Sequence, residues 1–284
     1  VKKPQWITIS VAILLVIVLY RYGRTVPHQT EPGSRNAVSQ TQGFSIDSFL
    51  LAAKKQLNPE QVMRINTLEN SISRGDVKNQ AVSVFHQLAH FWADSGQVFE
   101  PYAWYEAEAA RLENSEKSLT FAARLFLDNL QEDNQDERRK WKALQAKDLF
   151  ERSLKINPDN DSAKVGLGAC YLFGNISAAP MEGILKIREV VDKDSTNVYG
   201  QMMLVKGSLF SGQYDKAISR LETINRVQPG NMETLLMLAD TYERTGDKKS
   251  AILWYEKSLP FIIGADDLKA AIRQRVEALK EKIM

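Results

Sequence analysis

The sequence predicts an all-α chain, a solenoid of antiparallel helix pairs preceded by one N-terminal transmembrane helix. Three observations carry that reading. The C-terminal half repeats itself at a 34-residue step, no stretch sustains the apolar–polar alternation of a strand, and an uncharged apolar run near the start lies between basic residues.

Residues 6–20 (WITISVAILLVIVLY) carry no charge; Lys2 and Lys3 precede them, and Arg21 and Arg24 follow. A helix needs about 20 apolar residues to cross the hydrocarbon core. The run is slightly short, but Trp6, Tyr20 and Tyr22 suit the two interfaces and the flanking cations can snorkel. A signal peptide has the same basic and apolar layout. The following RYGRTVPHQ offers no small-x-small cleavage site, and no nearby cysteine could take a lipid, so an uncleaved anchor over 1–24 is expected. Basic residues are almost tied across the run; the orientation favoured has the N-terminus inside and the large domain outside the cytoplasm. Residues 25–43 hold two prolines, two glycines and no aromatic residue, and read as a flexible linker.

Helical signals dominate from residue 44. Asn58-Pro59-Glu60 combines an N-cap, a first-turn proline and a first-turn acid, opening a helix toward Arg74-Gly75 within an N-terminal helical pair over 44–78. Beyond it, residues 79–264 form the repeats. GQYDKAI, beginning at Gly212, returns as GDKKSAI at Gly246; Ala217 and Ala251, and Ile218 and Ile252, keep the same 34-residue step. Leu221 and Tyr255 occupy matching bulky positions. Upstream, Ala146, Phe150 and Pro158 stand at the spacing of Ala217, Leu221 and Pro229, and Leu167-Gly168-x-x-Tyr171 supplies the first helix of the next unit. The step from Ala146 to Gly183 is 37, so the turn containing Asn175–Pro180 is expanded by about three residues. The repeats are clearest at 161–197, 198–231 and 232–264; Tyr242 belongs to the last of these. A divergent unit surrounds Leu88-Ala89-x-x-Trp92 and Gly96, and another spans Lys117 to Asn157. Residues 265–284 read as an amphipathic capping helix.

A 34-residue period with L-G-x-x-Y, then A-x-x-x-F, then proline resembles the tetratricopeptide (TPR) family, strongly over 138–260 and weakly before it. The resemblance implies a TPR-like α-solenoid in which small residues (Gly168, Ala217, Ala251) let helices approach and large ones (Phe150, Tyr171, Tyr242, Tyr255) fill the gaps. It also implies a concave surface of first helices where partner peptides lie, with Val165, Leu172, Phe173, Met202, Met203, Leu209, Phe210, Leu236 and Asp240 pointing inward. The family's Lys/Asn clamp for a terminal carboxylate is missing: its positions hold Val165, Ala169, Met203, Glu233 and Met237. An apolar groove with methionines suits an amphipathic helix or extended apolar segment. The competing reading has these side chains covered by the chain's own N-terminal helices (residues 45–75) or packed as core.

Other chemistry is thinly signalled. Without the four cations flanking the apolar run, 33 basic face 35 acidic residues, which does not favour nucleic acid. The single cysteine, Cys170, reads as a packing residue and admits no intrachain disulfide. His86 and His90 lie one turn apart, on the side of a first helix expected to face the groove; a metal-dependent enzyme or carrier built on them is the alternative function. H-x-x-x-H here has Gln87 where a zincin needs glutamate. Gly166-Leu167-Gly168 sits inside a helix rather than after a strand, against a nucleotide loop. The mixed-sign run over 131–142 (QEDNQDERRKWK) reads as a solvated loop and helix start. The expected protein is a non-enzymatic, membrane-anchored scaffold without metal or cofactor. It would contact the membrane through residues 6–20 and other proteins through the concave surface, in envelope assembly or secretion. The setting favoured is a bacterial inner membrane with the repeats in the periplasm, and a homo-oligomer is a further alternative.

Overall fold

A computed structural model describes residues 44–72, 78–176 and 180–282. The predicted anchor and linker lie outside the described residues, and among those described no helix is long and apolar enough to cross a membrane. Thirteen α-helices and no strand are found among them. In chain order they are α1 (Ile46–Lys54), α2 (Pro59–Ile72), α3 (Lys78–His90, continued by a π-turn over Phe91–Gly96), α4 (Phe99–Glu113), α5 (Glu116–Leu130), α6 (Asp136–Ile156) and α7 (Asp161–Phe173). They continue with α8 (Pro180–Lys193), α9 (Val198–Phe210), α10 (Tyr214–Val227), α11 (Met232–Arg244), α12 (Lys248–Ser258) and α13 (Asp266–Glu281).

Polar caps place the helix starts. At α2 the Gln61 amide donates to Asn58 Oδ1 (2.9 Å) while the Asn58 amide donates to Gln61 Oε1 (3.0 Å), a reciprocal capping box. Asn160, Asn197 and Asn231 cap α7, α9 and α11, each accepting from the backbone N–H three residues on. They recur at the same two steps, one expanded and one regular, as the apolar repeat. Pro158 and Pro229 follow the ends of α6 and α10 by two residues, where continuing the helix is impossible. Gly212 and Gly246 turn the chain between first and second helices at φ of 70° and 85°, backbone angles that a side chain disfavours. In the expanded turn after α7 an asparagine, Asn175, takes the left-handed conformation instead (φ 51°).

Within each pair the two helices pack on one another: α3 on α4, α5 on α6, α7 on α8, α9 on α10, α11 on α12. First helices also meet first helices, α5 with α7 and α7 with α9, as a solenoid requires. One apolar core runs from α4 to α11 and holds Ala146, Phe150, Leu167, Ala217 and Leu221. The α7–α8 crossing is especially close: a Cβ on Gly168 would sit 2.6 Å from both the Gly183 carbonyl oxygen and Ile187 Cγ1. Phe150 presses on α7 at Gly166, where a Cβ would meet the ring at 2.6 Å or less. Ala251 and Tyr255 join Ile272, Val276 and Leu279 of α13 in a second core. A third gathers Ile65, Leu88, Phe91, Trp92 and Tyr105 under α1 and α2.

The 131–142 run is, as expected, a mostly exposed loop and helix start, but two of its charges are not solvated. Asp133 and Lys142 are buried. The Lys142 ammonium donates to Asp133 Oδ2 (2.6 Å) and Asn129 Oδ1 (2.6 Å) and pairs with Glu100 Oε1 (2.9 Å). Arg138 bridges the same two carboxylates. The alternating signs are complementary partners across the α5–α6 turn and the start of α4. Burial alone would raise the Asp133 pKa, but hydrogen bonds from Arg138, Lys142 and the Gln135 amide hold it well below the carboxylate range.

Candidate functional site

The face built by α5, α7 and α9 is the candidate site. On α5, Arg124 lies over the ring of Tyr199 on α9, 5.0 Å from its centroid. The intervening α7 is rich in small residues (Ala163, Gly166, Gly168, Ala169, Cys170), so an arginine is long enough to reach past it. Asp128 and Lys206 lie nearby; burial raises the Asp128 pKa, and Arg124 and Lys206 partly offset that. The Tyr199 hydroxyl is buried with no hydrogen-bond partner among the described residues.

Two clefts open along these helices, the first beside Arg124. One, of about 510 Å³, lies against α5 and the start of α7, between Lys117, Phe121, Arg124 and Asn160. The other, of about 500 Å³, is formed by Tyr171, Leu172 and Phe173 at the end of α7 and Phe210 at the end of α9, with Arg139 and Lys206 at its rim. Phe210 is 86% exposed, a strong anomaly for a large aromatic side chain. A third cleft of about 370 Å³ opens on the other side of Leu172, between α8 and α10.

The predicted groove residues divide. Leu172, Phe173 and Phe210 line the second cleft, while Leu209 and Leu236 are half-buried. Val165, Met202 and Met203, expected to point inward, are instead buried in the main core, because α7 and its neighbours approach too closely to leave them open. Asp240 is exposed, but its Oδ1 accepts a 2.5 Å hydrogen bond from the Tyr255 hydroxyl, so it is tied to the second helix of its own pair. Tyr242, another repeat-signature residue, is half-buried and its hydroxyl donates to Glu222 on α10 (3.0 Å). The chain's own N-terminal helices do not fill the clefts: α1 packs on α4 and α2 on α3. Sequence reading missed the basic rim, since Arg139, Lys206, Arg188 and Lys216 belong to four different helices and share no motif.

His86 is not placed as the resemblance suggested. His86 turns toward α4, with Nδ1 3.1 Å from Glu106 Oε2 and Nε2 3.1 Å from Glu113 Oε1, rather than toward a groove. Burial works against its charge, yet the bonds to Glu113 and Glu106 and their charges raise its pKa above 6.5. His90 is exposed. Among the described residues no group of three His, Cys, Asp or Glu could hold a metal ion. Cys170 is fully buried, and burial raises its thiol pKa far above the ordinary range.

Residues 233–259 match the Tetratricopeptide repeat family. Among solved structures, a tetratricopeptide repeat protein from Parabacteroides merdae is similar at a TM-score of 0.52 and 14% identity, covering 83% of this chain and 84% of its own. That likeness shows a TPR-like helical solenoid. PilW, titled a widely conserved type IV pilus biogenesis factor, aligns at a TM-score of 0.48 and 18% identity over 70% of this chain and 91% of its own. YrrB, titled a TPR protein with an unusual peptide-binding site, aligns at 0.41 and 14% identity over 73% of this chain and 97% of its own. No curated protein matches the sequence.

Proposed function

We propose that the protein is a non-enzymatic scaffold that holds other proteins on its first-helix face. The observation that carries this reading is the second cleft: an apolar recess whose wall includes an almost fully exposed phenylalanine, left uncovered by α1 and α2. Exposed apolar surface rimmed by polar groups is the signature of a contact site, and a solenoid offers such a surface along its length. The repeat match over residues 233–259 supports the same class of function.

The anchor completes the proposal. Residues 6–20, with their basic flanks, would tether the scaffold to a membrane, and envelope assembly or secretion on the periplasmic side of a bacterial inner membrane is the setting that fits. A photo-crosslinking residue placed at Phe210 should yield discrete protein adducts that one at Leu253, on the second helix α12, does not. Equal or absent adducts would refute the scaffold reading. Removal of residues 1–24 should release the protein from sedimented membranes, and protease protection in intact cells should be lost once the outer envelope is opened.

A further inference from the structure

Resting on that scaffold reading, we infer that the clefts meeting at Leu172 receive a polypeptide segment carrying a large apolar side chain beside aspartate or glutamate. Leu172 lines both clefts, so a segment lying across it at the ends of α7 and α9 would touch each of them. Its apolar anchors are exposed: Phe210 on one side, and Met181 at the start of α8 on the other, itself 60% exposed. Its charge is one-sided. Lys206 rims the cleft beside Phe210; Asp128 lies near enough to feel its charge, but the two form no ion pair. Arg188, Lys216 and Arg220 line the third cleft, where Asp192 is the one acid among the lining residues.

That surplus is local, because the domain as a whole is slightly acidic. Asp192 lies 3.6 Å from Arg188 and also acts on Arg220, so one carboxylate faces the three cations of that cleft. Lys216 and Arg220 donate to neutral amide oxygens, of Gln213 and Gln201. The Arg220 guanidinium is held below its ordinary pKa first by burial and then by the neighbouring Arg188, with Asp192 partly offsetting both. A carboxylate arriving with a partner would find several donors and displace none of the domain's own ion pairs except that of Arg188. A neutral apolar helix would leave these cations unanswered, and a basic segment would be repelled.

The test uses short fluorescent peptides with one central Phe or Leu flanked by Asp and Glu, matched peptides flanked by Asn and Gln or by Lys, and a single-stranded oligonucleotide, each titrated against the full chain in detergent. The expected order of affinity is acidic, then amide, then lysine flanks, with the acidic advantage falling as salt rises. Lys206→Glu with Arg188→Glu should cost the acidic peptide about tenfold or more and remove its preference. Lys249→Glu, on exposed α12, should change nothing, and circular dichroism checks that each variant is folded. Equal binding of all peptides, or an oligonucleotide bound as tightly as the acidic one, would overturn the inference. Adducts persisting at Phe210 beside such a failure would leave the scaffold reading standing; loss of both would remove it too.

Discussion

Replacing Lys142 by methionine should be among the most damaging single changes near the start of the solenoid. Methionine keeps the length and apolar stem of the side chain, so the packing beside Phe99, whose ring lies 5.2 Å from the ammonium, is nearly preserved. What disappears is a buried cation with three oxygen partners at 2.6, 2.6 and 2.9 Å. Asp133 would keep Arg138 and the Gln135 amide, and Glu100 would keep Arg138 at 3.3 Å. Removing one member of a buried pair typically costs 3–5 kcal/mol; since Arg138 still serves both carboxylates, the expected loss is about 3 kcal/mol. Glu100→Gln in the same background should return part of it by removing one uncompensated charge. Urea unfolding followed by tryptophan fluorescence reads the region directly, because Trp141 precedes Lys142 and packs against Phe126 and Trp104. Repeat units unfold through nearest-neighbour interfaces, so the fluorescence transition should shift more than the helical signal of the whole chain. A loss below about 1 kcal/mol, the range of exposed pairs, would refute the buried-network account. The folded Asp133 pKa is depressed, so its contribution is present above the ordinary carboxylate value and is lost as pH falls through the lowered one. The variant should therefore be less sensitive to acid relative to its own neutral-pH stability.

Gly168→Ala should cost about 1–3 kcal/mol, since its Cβ would overlap the Gly183 carbonyl and Ile187, whereas Gly246→Ala meets nothing within 4 Å and should cost only the conformational term, roughly 1–2 kcal/mol; thermal melts that reverse this order would contradict the assigned packing. His86 has a raised folded pKa, so its contribution is complete below 6.5 and fades as pH rises through the raised value; His86→Gln should flatten the stability–pH curve on that side, and an unchanged curve would mean the Glu106 and Glu113 contacts do not hold in solution. Cys170 should resist a water-soluble thiol reagent in the native protein and react at the rate of unfolding in urea; fast native labelling would contradict its burial.

The helix pairs were legible because the repeat writes packing into sequence. Ala146, Phe150, Ala217 and Leu221 recur at fixed spacing and fall in one core for the reason that spacing implies. The site was legible only where burial contrasted with expectation. Leu172, Phe173 and Phe210 were readable as apolar positions at the ends of first helices. Val165, Met202 and Met203 shared that apolar signature, and no periodicity could tell that the neighbouring helices close over them. The same limit explains Lys142: a lysine inside a charged run looks solvated until Asp133 and Glu100, one in a turn and one on another helix, are seen to meet it.

The departures from the repeat are what shape the candidate site. A regular unit places a glycine in the left-handed turn between its helices, as at Gly212 and Gly246, and brings the second helix back at once. The longer turn after α7 begins with Asn175, and the chain re-enters helix at Pro180; both residues edge the second cleft. The lengthened connection thus coincides with an apolar opening between the ends of α7 and α9, while the small residues of α7 let Arg124 reach Tyr199 beside it. A solenoid is tolerant of such changes because each unit answers mainly to its neighbours. Local insertions and charge changes can therefore build a recognition surface without disturbing the core that carries it, and shortening the turn to the regular length should close the cleft while leaving the fold intact.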